Sequence, residues 1–325
     1  MRILRSCIAS LAVGCACCAY AINAGAQNYP NRVVRYLVPD SSGGGIDIIA
    51  RIVAGGLSEV FHQQMIVDNR PGAASIIATE IAKNAPADGY TILHMSSNLA
   101  ANVSLYKSLP YDLVNDFAPV TQISWSPAAV VVHPSLPVKS IGDLIHLAKA
   151  RPGAINFASA GAGSRSFVDA VLFSDMAGVK MVHVAYKGGG PAIIAMVSGE
   201  MQLMFAPVQT ALPHIRSGRL RALGVTTASR VPLLAEVPTV AEGGVTGYAS
   251  PHWFGLMVPV KTPREVVAAI HRATIAALKR PEVVKRLNDV GNIPVGNTPE
   301  EFGALIKSEI ALLGDIFRKA GVSAN

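Results

Sequence analysis

Val38-Pro39-Asp40-Ser41-Ser42-Gly43-Gly44-Gly45-Ile46-Asp47 is the stretch that sets the reading of the fold. The apolar run from Val33 to Val38 before it predicts a short buried strand. The apolar positions from Ile46 to Val60 after it recur at helical spacing. The order is therefore strand, glycine-rich turn, helix. Consecutive glycines open backbone conformations closed to other residues and let main-chain N–H groups approach a ligand, and the helix start behind them carries partial positive charge. Such a turn is a seat for an anion, or else a tight connection with no ligand. The nucleotide versions fit poorly. Ile48 stands where the dinucleotide fingerprint requires glycine or alanine, and no Lys-Ser or Lys-Thr pair follows. A small carboxylate is the simpler occupant.

The same pattern returns further along. A predicted strand at Asn156 to Ala158 leads into Ser159-Ala160-Gly161-Ala162-Gly163-Ser164-Arg165-Ser166 and a helix from about Phe167. Met181 to Ala185 runs into Tyr186-Lys187-Gly188-Gly189-Gly190, Met201 to Phe205 into Ala206-Pro207, and Tyr90 to Met95 into Ser96-Ser97-Asn98. Open α/β sheets bind ligands at such carboxyl ends of strands. Helices are also predicted over Ala73 to Asn84, from Ser140 with Asp143 placed for a capping box, and after two Thr-Pro starts, Thr262-Pro263-Arg264-Glu265 and Thr298-Pro299-Glu300-Glu301. Pro232 to Gly247 reads as a traverse between domains, and Val120 to Val132 and Trp253 to Val258 as extended segments. Two glycine-rich turns in successive α/β units predict two lobes that face one ligand across a cleft.

Composition narrows the function. Arg2 and Arg5, the apolar Ile8 to Ile22 and Ala24-Gly25-Ala26 read as a secretory signal peptide over residues 1–26, with acylation of Cys15 as a minor alternative. All four cysteines, Cys7, Cys15, Cys17 and Cys18, lie in that segment, so the remaining chain offers no disulfide or thiol chemistry. Without Arg2 and Arg5 the 28 basic residues become 26 against 21 acidic ones, a formal +5, scattered rather than clustered. This disfavours a nucleic-acid partner. The eight histidines, His62, His94, His133, His146, His183, His214, His252 and His271, show no short metal spacing, and no metal or other cofactor is expected. Ser164 sits in Gly-Ala-Gly-Ser-Arg rather than a hydrolase elbow, so an esterase is a remote alternative. His94 and His252 are the two histidines to watch, one at a strand end toward the cleft and one beside a crossing, as Trp125 and Trp253 also are.

The chain resembles the periplasmic solute-binding proteins of tripartite tricarboxylate transporters, the Bug family. The resemblance rests on Tyr29-Pro30, Val38-Pro39 with Gly43-Gly44-Gly45 and Asp47, Asp68-Asn69-Arg70-Pro71-Gly72-Ala73 and Pro86-Ala87-Asp88-Gly89-Tyr90-Thr91. It extends through Ser104-Leu105-Tyr106, Leu109-Pro110-Tyr111-Asp112, Asp116-Phe117-Ala118-Pro119-Val120, Val184-Ala185-Tyr186-Lys187-Gly188-Gly189, Val237-Pro238-Thr239-Val240 and Thr298-Pro299-Glu300-Glu301-Phe302. It implies a type II periplasmic-binding-protein fold, with two α/β lobes joined by two crossing strands. The lobes would be 27–124 with 250–325, and 125–249.

The resemblance further implies a periplasmic, non-catalytic monomer that clamps a small carboxylate and docks on transporter membrane subunits; a sensor presenting the closed form to a kinase is the alternative. The ligand contacts it implies are the turn Pro39, Asp40, Ser41, Ser42, Gly43, Gly44, Gly45 and Asp47 and the turn Ser159, Ala160, Gly161, Ala162, Gly163, Ser164, Arg165 and Ser166. Ser96, Ser97, Tyr186, Ala206 and Pro207 complete the expected set, with Lys187 a lesser candidate. Three positions depart from the family pattern. Asp40 to Ser42 replace an aromatic and prolines, Arg165 replaces a small or polar residue, and Ala206-Pro207 replaces an Asp-Asn pair. Asp40 would repel an anion unless turned away, neutralised or paired with a cationic part of the ligand. Arg165 could hold the second carboxylate of a dicarboxylate, or be an exposed arginine at a helix start.

Overall fold

The computed structural model describes residues 29–40, 42–43, 45–161, 163–186, 188–250 and 252–321. The segment 1–26 with Cys15, and Ser41, Gly44, Ala162 and Lys187, lie outside the described residues. In chain order the elements are β1 (Val34–Val38), α1 (Gly45–Phe61), β2 (Met65–Asn69), α2 (Ile76–Lys83), β3 (Thr91–Ser96), α3 (Asn98–Leu105), β4 (Phe117–Ser126) and β5 (Ala128–Val132). Then come α4 (Ile141–Ala150), β6 (Asn156–Ser159), α5 (Arg165–Ala177), β7 (Val182–Ala185), α6 (Gly189–Ser198), β8 (Leu203–Pro207), α7 (Val208–Arg216) and β9 (Arg221–Val225). The chain finishes with β10 (His252–Pro259), α8 (Arg264–Leu278), α9 (Pro281–Asp289), β11 (Ile293–Pro294) and α10 (Pro299–Ala320).

These strands form two sheets, one per lobe. The first has six strands in the order β11-β4-β10-β3-β1-β2, and the second five in the order β7-β6-β8-β5-β9. β1 pairs in parallel with β2 and β3, whereas β10 runs antiparallel to both β3 and β4. Only Pro127 separates β4 of the first sheet from β5 of the second, which makes one crossing. The chain returns through Ser250, whose N–H donates to the Thr226 carbonyl at 2.7 Å, into β10, where His252 registers with Ser126. The hinge is this pair of adjacent strands. The lobes are also joined by α10, which packs on α3 and β4 of the first lobe and reaches α5 of the second.

Local chemistry explains the element ends. Thr298 caps α10 with a full capping box to Glu301, as expected. Ser140 Oγ accepts the Asp143 N–H at 3.0 Å. Elsewhere the sequence reading needs correction. Thr262 does not cap α8; Pro263 holds the cap position in extended conformation and the helix begins at Arg264. The helix expected from Ala73 begins at Ile76, because Ala73, Ala74 and Ser75 all carry positive φ and form a single tight turn. α3 and the two-residue β11 were not anticipated.

Candidate functional site

The first turn meets its own carboxylates. Asp40 accepts the Ile46 N–H at 3.1 Å, at the start of α1. Asp47, buried in the first turn of that helix, accepts the Gly43 N–H at 2.8 Å, Arg51 Nε at 2.9 Å and Asn69 Nδ2 at 2.9 Å. Asn69 Nδ2 also donates to the Asp40 carbonyl at 3.0 Å, tying the turn to the end of β2. Burial alone would raise the Asp47 pKa, but the bonds from Arg51, Gly43 and Asn69 hold it below the ordinary carboxylate range. Two N–H groups of the predicted anion seat are thus already engaged. Asp40 satisfies the partial charge of the helix start that an outside anion would otherwise meet.

The second turn is knitted internally and pressed against the first lobe. Gly161 N–H donates to Ser159 Oγ at 3.0 Å and Ala160 N–H to Ser166 Oγ at 3.1 Å. Ser164 Oγ donates to the Gly161 carbonyl at 2.6 Å and lies 3.1 Å from Ser166 Oγ, which is no arrangement for a nucleophile. Gly163 has φ +79°, and a Cβ there would lie 2.3 Å from Leu105 Cδ1 of α3, across the lobe boundary. The sequence did not reveal the contact of Ser159 Oγ with His183 Nε2 at 2.6 Å, which anchors the turn to β7.

Arg165, first residue of α5, is neither exposed nor free. Its Nε donates to Asp169 Oδ1 at 2.8 Å, its Nη1 to Glu309 Oε1 of α10 at 2.7 Å, and its Nη2 to Ser250 Oγ at the hinge. Ser250 Oγ also donates to Asp169 Oδ1 at 2.7 Å, and Tyr248 O–H donates to the Asp169 carbonyl at 3.0 Å. A buried charge cluster therefore spans helix α5, the hinge and α10. Burial pushes the Asp169 carboxyl up to about 6 against the opposing pull of Arg165 and Ser250. A carboxyl with a raised folded-state pKa adds stability below its unfolded value, and that stability is lost as pH rises through the folded one. The advantage of the native protein over Asp169→Asn in denaturant unfolding is thus expected to shrink by about 2 kcal/mol between pH ~4 and pH ~7. A pH-independent difference would mean that Asp169 titrates normally.

Between these groups lies a line of buried polar atoms. His94, fully buried at the end of β3, bonds Tyr36 O–H through Nδ1 at 3.1 Å. Burial lowers its pKa to about 3 against the charge of Asp47, and burial with Arg165 and His94 lowers His252 to about 3, so both imidazoles are neutral. Asp47, His94, His252 and Arg165 thus lie close enough to act on one another in sequence, linking the helix starts of the two lobes. His94 Nε2, Ser96 Oγ, Ser97 Oγ, His252 Nε2 and Asp169 Oδ2 are shielded from solvent and have no hydrogen-bond partner among the described residues. Pro207, Ser166, Arg165 and His252 share one small cavity beside the hinge. Tyr186 is set apart, its hydroxyl donating to Glu200 Oε1 at 2.8 Å, and Ala206 is packed in the second lobe's core.

A family model described as the tripartite tricarboxylate transporter family receptor, TctC, matches residues 49–322. The chain belongs to this family. It is 34% identical over 298 residues to protein BugT of Bordetella pertussis, covering 91% of each chain. It is 37% identical over 282 residues to a Pseudomonas sp. (strain P51) protein from the tcbD-tcbE intergenic region, covering 86% of this chain and 84% of that one. Among solved structures, an R. palustris protein with adipate superposes at TM-score 0.79 and 35% identity, covering 91% of this chain and 99% of that one. The periplasmic binding protein BugD gives 0.76 at 30% identity, with coverage of 91% and 99%. MatC from Rhodopseudomonas palustris with bound malate gives 0.75 at 29%, with coverage of 89% and 99%. The two-lobed fold and the receptor family are therefore those the sequence pointed to. Among the described residues of this TctC receptor no group of three or more His, Cys, Asp or Glu could hold a metal ion, and no helix is long and apolar enough to cross a membrane.

Proposed function

We propose that this TctC receptor is a periplasmic, non-catalytic monomer that closes its lobes on a small organic carboxylate and hands it to the membrane subunits of a tripartite tricarboxylate-type transporter. In this reading the lobes are 27–124 with 250–325 and 125–249, the bounds that the resemblance implies. The observation that carries this reading is the row of unpartnered polar atoms at the end of β3 and around the hinge, His94 Nε2, Ser96 Oγ, Ser97 Oγ and His252 Nε2. Proteins seldom bury polar atoms without partners, and a ligand held between the lobes would supply them. In this reading the ligand lies between the two glycine-rich turns, Pro39 to Asp47 and Ser159 to Ser166. The helix start of α5 offers it the unsatisfied N–H groups of a first turn. The bound adipate and malate of the two related structures support a carboxylate as the ligand class.

The test is a thermal-shift screen of the chain without residues 1–26, refolded to strip bound ligand, against mono-, di- and tricarboxylates, aromatic acids and amino acids. A ligand at a hundred times its Kd adds about 2.7 kcal/mol, which raises the Tm by a few degrees. A shift by one class of acid and not by neutral analogues is expected. No shift by any acid would overturn the reading.

A further inference from the structure

Beside the hinge, Ser126, Arg165, Ser166, Asp169, Pro207 and His252 line a cavity of about 20 Å³, room for one water-sized group. Two of these residues carry buried side-chain atoms without a hydrogen-bond partner among the described residues. Asp169 is fully buried, its Oδ1 is engaged by Arg165 and Ser250, and its Oδ2 has no partner among the described residues. His252 Nε2 is likewise shielded from solvent and unpartnered.

The charges around this cavity do not balance. Arg165 is one cation held between two carboxylates, Asp169 and Glu309, with side-chain exposures of 11%, 0% and 11%. Ser250, Ser126 and Tyr248 add no charge, and His252 is neutral. The group thus carries one excess negative charge out of water, and an unpaired carboxylate oxygen is where that excess is concentrated. Burying a net charge is costly unless a counter-charge meets it. A second ligand carboxylate would be repelled here. A methyl group would leave Oδ2 unsatisfied, and a hydroxyl would satisfy it without balancing the charge. An ammonium is close to water in size, carries the missing charge and can donate both to Asp169 Oδ2 and to His252 Nε2.

We propose that this cavity is a subsite for a cationic nitrogen of the ligand, so that the receptor selects small amino carboxylates over dicarboxylates. Arg165 then serves as a positioning residue that aims Asp169 and does not touch the ligand. The inference rests on the carboxylate-receptor reading above and names its substrate class.

The experiment is isothermal titration of the ligand-stripped chain with matched probes. One series is γ-aminobutyrate, γ-hydroxybutyrate, butyrate and succinate; a second is β-alanine, alanine, lactate, propionate and malonate; adipate and malate complete the set. In at least one series the amino acid is expected to bind about 10-fold to 100-fold tighter than the methyl-ended acid and the diacid, the range of a charge-assisted hydrogen bond. Asp169→Asn should remove that preference, so that the amino acid binds no tighter than the methyl-ended acid of its series. A diacid or a hydroxy acid that binds as tightly as the amino acid overturns the subsite and leaves the carboxylate reading standing. Failure of every acid to bind overturns both. The native-protein series decides the matter even where Asp169→Asn folds poorly.

Discussion

Gly163→Ala is expected to lower the affinity for the tightest-binding acid of the thermal-shift series by about tenfold to a hundredfold. Two costs act, and they separate. Gly163 sits at φ +79°, where a Cβ is disfavoured by about 1–2 kcal/mol whether or not the lobes meet. This part should appear as a lower Tm of the ligand-free protein. The second cost belongs to closure. The new methyl would lie 2.3 Å from Leu105 Cδ1, and Leu105 is buried at the end of α3 in the opposite lobe. Forcing a methyl into such a contact costs roughly 1–3 kcal/mol, or about tenfold to a hundredfold in affinity. Leu105→Ala in the same molecule should restore most of the affinity and none of the backbone strain. Equal affinities for Gly163→Ala and the native protein would mean that this contact does not report on ligand capture.

Arg165→Ala should be among the most destabilising single substitutions in the chain, at about 3–5 kcal/mol. It leaves Asp169 and Glu309 facing one another with no cation between them, one fully buried and the other nearly so. The loss is far greater than that of an exposed arginine, because the remaining carboxylates lose a charge partner they cannot exchange for water. Denaturant unfolding measures it. Arg165→Met combined with Asp169→Leu and Glu309→Gln should recover much of the stability, since replacing a whole buried ionic group with apolar volume is often neutral. Recovery by the triple variant with a large loss in the single one would identify an unpaired charge as the cause. A single-variant loss under 1 kcal/mol would show that the cluster is hydrated.

The strand, turn and helix order around Gly43 and around Gly163 was legible because glycine runs and apolar periodicity are local signals. The receptor family was legible because its signature stretches run the length of the chain. The partners of the charged residues were not. Nothing within a few positions of Arg165 announces Glu309, 144 residues away, or Ser250, 85 residues away. The sequence could show Asp169 four residues after Arg165, a helical ion-pair spacing, but not that both would be removed from water. Asp40 and Asp47 are a similar case. Asp40's repulsion for an anion could be read from the letters, but its place at the start of α1 and Asp47's bond with Asn69 at the end of β2 arise from contacts that the letters do not announce. Thr262 failed as a cap because Pro263, fixed at φ −53° with ψ 139°, could itself occupy that position.

The central place of β10 between β3 and β4 has a consequence for how the polypeptide becomes a protein. The second lobe's sheet is drawn from one continuous run, 128–225, and every one of its strands is at hand once that run exists. The first lobe's sheet is interrupted. β1, β2 and β3 form one parallel group, β4 stands apart from it, and the strand that joins them begins only at His252. A chain emerging from its amino end therefore carries an unfinished sheet edge on β3 while the sheet of the second lobe is already complete, and the first sheet cannot close before β10, in the last quarter of the polypeptide, has arrived. Order of assembly is thus written into strand order: the lobe that begins the chain is the one that must wait for its end.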